Sequence, residues 1–68
     1  MYEYKVEFSY LQEGKRVKDK DWFTADSAQE AADDCRYAYF QEFSLQEGRI
    51  ENVYRLTALG WELRSNWD

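Results

Sequence analysis

The chain opens on an alternation. Tyr2, Tyr4, Val6, Phe8 and Tyr10 are apolar or aromatic, and Glu3, Lys5, Glu7 and Ser9 between them are polar. A strict period of two in β-forming residues predicts a strand over residues 2–10 with one face toward a core. Gln12-Glu13-Gly14 breaks the pattern, and glycine there supplies the positive φ of a tight hairpin. Residues 15–24 are expected to return as a second strand. With Glu13-Gly14 as a two-residue loop, Glu7 faces Lys20, Tyr4 faces Phe23 and Tyr10 faces Val17. The same register points Asp19 and Asp21 inward, which is costly for carboxylates. A bulge, or early fraying onto a sheet edge, would relieve that conflict.

The period changes at Ser27. Ser27-Ala28-Gln29-Glu30 is a capping box, in which serine caps the third helical N–H and glutamate reaches back. Acidic residues in the first turns suit the helix dipole. At the helical step of about 100° per residue, Ala28, Ala31, Ala32, Cys35, Tyr39 and Phe43 form one stripe. These features predict a helix over residues 27–43, with Glu30, Asp33, Asp34, Tyr37, Phe40 and Gln41 away from the core. Residues 44–48 close it. Residues 49–57 read as a third strand with Ile50, Tyr54 and Leu56 inward, and Ala58-Leu59-Gly60 as a turn. Residues 61–67 alternate Trp61, Leu63, Ser65 and Trp67 against polar positions, as a fourth strand would. A competing reading makes residues 50–58 a short helix ending at Gly60.

The pattern therefore predicts an α+β fold as a single small domain over residues 1–68. The order is β-β-α-β-β, an antiparallel-rich sheet with one helix packed on one face. One helix cannot cover both faces of four strands. The far face is then either polar and wet or a partner site.

Composition narrows the chemistry. A 68-residue chain buries only about 60% of the surface its unfolded form exposes. A lone cysteine, Cys35, excludes an internal disulfide, so extra burial must come from large side chains or a partner. Aromatic residues are 19% of the chain, and each removes about 150–250 Å² from water when buried. The chain has no histidine, which removes the common general-base and His-ligated metal sites. No catalytic residue, metal ligand or cofactor is expected. Cys35 lies mid-stripe, with Arg36 pointing about 100° away, and reads as a small core residue. Asp33-Asp34 and the Asp19/Asp21 pair lack the further oxygen ligands and fixed glycine of a calcium loop.

The net charge of −5 argues against direct nucleic-acid binding and against an anionic membrane surface. No apolar run approaches the ~20 residues of a membrane span. The alternating start is unlike a signal peptide, and one unpaired cysteine fits a reducing cytoplasm. Lys15, Arg16, Lys18 and Lys20 form either a basic hairpin tip that grips phosphate or an edge strand guarded by lysines. The interspersed Asp19 and Asp21 favour the guarded edge. Trp22, Trp61 and Trp67 could stack bases, but the acidic balance favours packing roles. Trp67, near the end, is expected to be exposed or to lie against a partner.

The acids concentrate between Asp21 and Glu47, where Arg36 is the one base. Glu30, Asp33, Asp34, Tyr37 and Phe40 are the candidate partner-binding residues. Exposed aromatics anchor interfaces, and carboxylates spaced along a helix imitate a row of phosphates. The plainer alternative is a solvated acidic face with Phe40 tucked sideways against a loop.

Two resemblances add to this reading. Tyr2-Glu3-Tyr4-Lys5-Val6 and Gly60-Trp61-Glu62-Leu63 resemble the opening strand and a later strand of a small bacterial domain of unknown function. In that family a helix directly precedes the Gly-Trp-Glu-Leu strand, whereas residues 44–59 intervene here. The plan of a hairpin followed by Ala25-Asp26-Ser27-Ala28-Gln29-Glu30-Ala31 is similar to short phage and conjugative-element proteins, anti-CRISPR proteins among them. That resemblance implies an origin in a phage or mobile element and no particular target. The expectation is a cytoplasmic, non-enzymatic interaction protein, with a host protein as partner and neither nucleic acid nor membrane bound directly. The inhibitory form would block a nucleic-acid-binding or defence protein through the acidic helix face. The alternative is a self-associating structural module or small assembly subunit, with a homodimer burying Trp67 or a sheet edge.

Overall fold

A computed structural model describes residues 1–64. The first two strands, β1 (Tyr2–Gln12) and β2 (Lys15–Ala25), form the expected hairpin. Glu13 and Gly14 at its tip have φ of 52° and 79°, the left-handed pair that a two-residue turn needs to match strand twist. The register is the expected one, with Glu7 opposite Lys20, Tyr4 opposite Phe23 and Tyr10 opposite Val17.

The helix begins where the capping box places it. Ser27 Oγ accepts the Glu30 N–H at 3.1 Å, and α1 covers Ala28–Cys35. Beyond Cys35 the winding changes. Arg36–Glu42 form a π-helix, whose i→i+5 bonds widen the turn. Ser44 closes it with φ 54°, and the Leu45 N–H donates to the Tyr39 carbonyl at 3.1 Å.

Residues 46–57 are strand β3 (Gln46–Thr57) and residues 60–64 are β4 (Gly60–Arg64), so the competing short helix over residues 50–58 does not form. The expected run of β4 through Ser65 and Trp67 lies outside the described residues. The sheet order is β2-β1-β3-β4, all antiparallel. The fold is thus a single α+β domain, a four-stranded antiparallel sheet with one helical segment on one face.

The core lies between helix and central strands. Tyr4, Val6, Phe8, Ala25, Ala31, Ala32, Cys35 and Val53 are buried. Small residues in the first helical turns let the backbone approach the sheet, and rings fill the wider gap under the π segment. Phe8 is the hub there. Its ring centroid lies 4.4 Å from Tyr39 and 6.0 Å from Phe40.

Three expectations are corrected. Phe40, expected outward, packs on Phe8, while Phe43, expected inward, is 69% exposed. The π turn causes the exchange. With α pitch, five residues from Cys35 would carry Phe40 about 140° round the axis, but i→i+5 winding returns it nearly beneath Cys35. In β3, Ile50 packs against the core, but Tyr54 and Leu56 face away and Val53 takes the buried place. The register with β1 shifts between Glu7 and Phe8, where Glu51 is the extra residue, and one inserted residue flips every later side chain. Asp19 and Asp21 stay inward in parity, without bulge or fraying in β2. They lie on an edge strand, where Asp19 is exposed and Asp21 accepts from the Tyr39 hydroxyl, and their carboxylates turn back to accept the Lys20 and Trp22 N–H groups at 2.8 and 2.7 Å.

Candidate functional site

Two large surfaces remain, the outer side of the helix and the far face of the sheet. On the helix, Glu30, Asp33, Asp34 and Tyr37 are exposed. Their i, i+3, i+4, i+7 spacing makes one stripe. Asp33 accepts from Arg36 Nη1 at 2.6 Å, an exposed pair of small energetic weight. Tyr37 is 58% exposed. Phe40 does not join them. It is half-buried beside Gly48, where a Cβ would overlap its ring, so its placement follows the plainer reading of a ring tucked against a loop.

The far face is built by parity. The even residues of β2 stand opposite the odd residues of β1, and neither set meets the helix. Trp22, Lys5, Tyr54 and Leu63 form one row across all four strands, with Leu56 and Trp61 beside it. Lys5 Nζ sits 4.6 Å from the Tyr54 ring centroid and 5.6 Å from that of Trp61. Such contacts hold the ammonium over the negative ring faces. A slot of about 170 Å³ opens here, lined by Glu3, Trp22, Phe23, Thr24 and Trp61.

One row along, the surface becomes charged. Asn52 Nδ2 donates to Glu7 Oε1 at 3.0 Å. The Tyr54 phenol is raised above its ordinary value, first by desolvation and then by the Glu7 carboxylate beside it. A concavity of about 420 Å³ lies between Lys18 and Lys20 on one side and Glu51 and Asn52 on the other. At its end Ser9 is fully buried on the uncovered side. Its Oγ donates to Glu51 Oε1 at 2.6 Å and accepts from Arg16 Nη1 at 3.3 Å, while Arg16 also donates to the Glu47 carbonyl at 2.7 Å. A buried hydroxyl needs such partners; the β3 bulge supplies Glu51 and β2 supplies Arg16.

The basic segment of β2 does form an edge strand. Charge is therefore divided between the faces. Lys5, Arg16, Lys18, Lys20 and Arg49 outnumber Glu3, Glu7 and Glu51 on the open sheet, while the helix side carries mostly carboxylates. The thiol of Cys35 is in neither surface. Burial first, then the Asp21 charge, pushes it up to about 12.

The sequence missed the open-face cluster because a period-two strand does not reveal where its parity will break. The available signal was the three-residue spacing of Ile50 and Val53. Among the described residues no helix is long and apolar enough to cross a membrane. No protein-family model, curated protein or solved structure matches the chain.

Proposed function

We propose that the chain is a non-enzymatic interaction protein, acting in the cytoplasm by occupying the surface of another protein. The observation that carries this reading is the exposure of aromatic side chains on both broad surfaces: Tyr37 on the helix at 58%, Trp22 and Trp61 on the sheet at 53% and 39%. Large rings in water, rimmed by charge, are what interface hot spots look like before a partner arrives.

In its concrete form, the helix stripe docks on a basic surface of a nucleic-acid-binding or defence protein of the host, as an inhibitor encoded by a phage or mobile element. Glu30, Asp33 and Asp34 take the positions of phosphates, and Tyr37 is the aromatic anchor. Complementary charge steers the encounter, and the desolvated ring slows release. Phe40 contributes indirectly, by seating the helix on Phe8.

The test is a pull-down from nuclease-treated bacterial lysate with the wild-type chain and the D33K/D34K variant. One stoichiometric nucleic-acid-processing protein, displaced by DNA or RNA and lost from the variant, supports the reading. Equal capture by a folded D33K/D34K bait would remove the helix face from it.

A further inference from the structure

We infer that the open sheet face receives the acidic helix face of a second copy, so that copies associate head to tail. The inference rests on the helix stripe being a docking surface and adds a counterpart for it on the same chain.

The open face is an unpartnered sheet layer with an apolar end and a cationic end. Leu63, 56% exposed, and Leu56, 41% exposed, join Trp22 and Trp61 at the apolar end. A sheet with one bare face is completed by a layer of helix, the packing this chain already uses on its other side. Charge then selects the occupant. Setting two sheet faces together across a two-fold axis would oppose cation excess to cation excess. The helix stripe opposes carboxylates to it.

The order of side chains along the two surfaces agrees as well. Along β2 the open face presents Trp22, Lys20 and Lys18 in succession, two residues or about 6.7 Å apart. Along the helix the stripe presents Tyr37, then Asp33 and Asp34, then Glu30, one turn or about 5.4 Å apart. Laid together, the tyrosine meets the slot beside Trp22 while carboxylates meet Lys20 and Lys18. Lys20 Nζ, 5.9 Å from the Trp22 ring, stands at the junction of the two ends. A pair then retains an unused helix face on one copy and an unused sheet face on the other, which is the signature of a heterologous contact.

Light scattering and sedimentation over a concentration series, up to about 1 mM, test it. The expected result is a mass that grows past the dimer without a plateau. The D33K/D34K and K18E/K20E variants, each alone, should lose about tenfold or more in association. Mixed, they should associate again, because the intact helix face of one meets the intact sheet face of the other and the two reversed faces are themselves complementary. Tyr37→Ala, which leaves every charge in place, should also weaken growth. A constant monomer mass for the wild type would overturn the inference, and so would a dimer unaffected by either charge change. The K18E/K20E variant keeps the helix stripe, so host-partner capture that survives in it separates failure of this inference from failure of the inhibitor reading.

Discussion

The Tyr39 hydroxyl donates to Asp21 at 2.5 Å, joining the π-helical segment to the edge strand. Asp21 uses its other oxygen for the Trp22 N–H. One carboxylate thus ties the helix down and satisfies an outward-facing backbone donor. The Tyr39 phenol is pushed from 10 up to about 12, chiefly by that hydrogen bond. A raised folded-state value favours the neutral phenol in the fold. Its contribution is complete below pH 10 and lost as pH rises through 12. Cys35, also raised to about 12, acts in the same direction. Denaturant midpoints should fall across this window. A tyrosine absorbance titration should show late phenols at Tyr39 and Tyr54, and Tyr39→Phe should remove one of them. An unchanged late phase in Tyr39→Phe would assign it to other rings.

Edge protection is a second consequence of the same geometry. Gln12 and Lys15 flank the two-residue turn and make a hydrogen-bonded pair, so alternate residues of β2, Lys20 and Trp22 among them, aim their N–H groups at solvent. Asp19 and Asp21 cover these two donors. Edge strands left bare pair with other chains. Asp19→Ala frees the Lys20 donor while leaving the Tyr39–Asp21 hydrogen bond in place. It should increase salt-insensitive aggregation with an intermolecular β signature in infrared spectra. Solubility equal to wild type would show that the lysines suffice.

Gly48 and Phe40 should couple energetically. The ring occupies the space a Cβ on residue 48 would take, so Gly48→Ala should cost about 1–3 kcal/mol through overpacking. In a Phe40→Ala background the same substitution should cost close to nothing. A double-mutant cycle by urea denaturation measures the difference. Additive effects would mean the ring moves aside freely.

The hairpin and helix start were legible because their determinants are local. Two turn residues set the parity of β1 and β2, and Ser27 with Glu30 sets the helix N-terminus. The orientation of Tyr54 and the exchange of Phe40 for Phe43 were not. The first depends on Glu51 being extruded toward Ser9, a partner 42 residues away in sequence. The second depends on Phe8 accepting two consecutive rings, which α pitch does not deliver. Of the candidate site, the carboxylates and Tyr37 were readable from helical spacing. The open face was foreseen as uncovered, but its composition turned on the β3 bulge.

Cys35 offers a direct probe of how cooperative the fold is. Its side chain is fully buried under the helix and remains a neutral thiol at neutral pH. Thiol reagents attack the thiolate, so the folded state should be inert. Modification should then proceed through opening of the helix from the sheet, at a rate set by the population of open molecules. Ellman's reagent, followed across a urea series below the unfolding transition, should give rates whose denaturant slope matches that of global unfolding. A much shallower slope would show the helix lifting by itself, as a detachable element. Phe8→Ala should raise the labelling rate sharply. Loss of a buried phenyl costs about 3–5 kcal/mol, comparable to the whole stability of so small a domain.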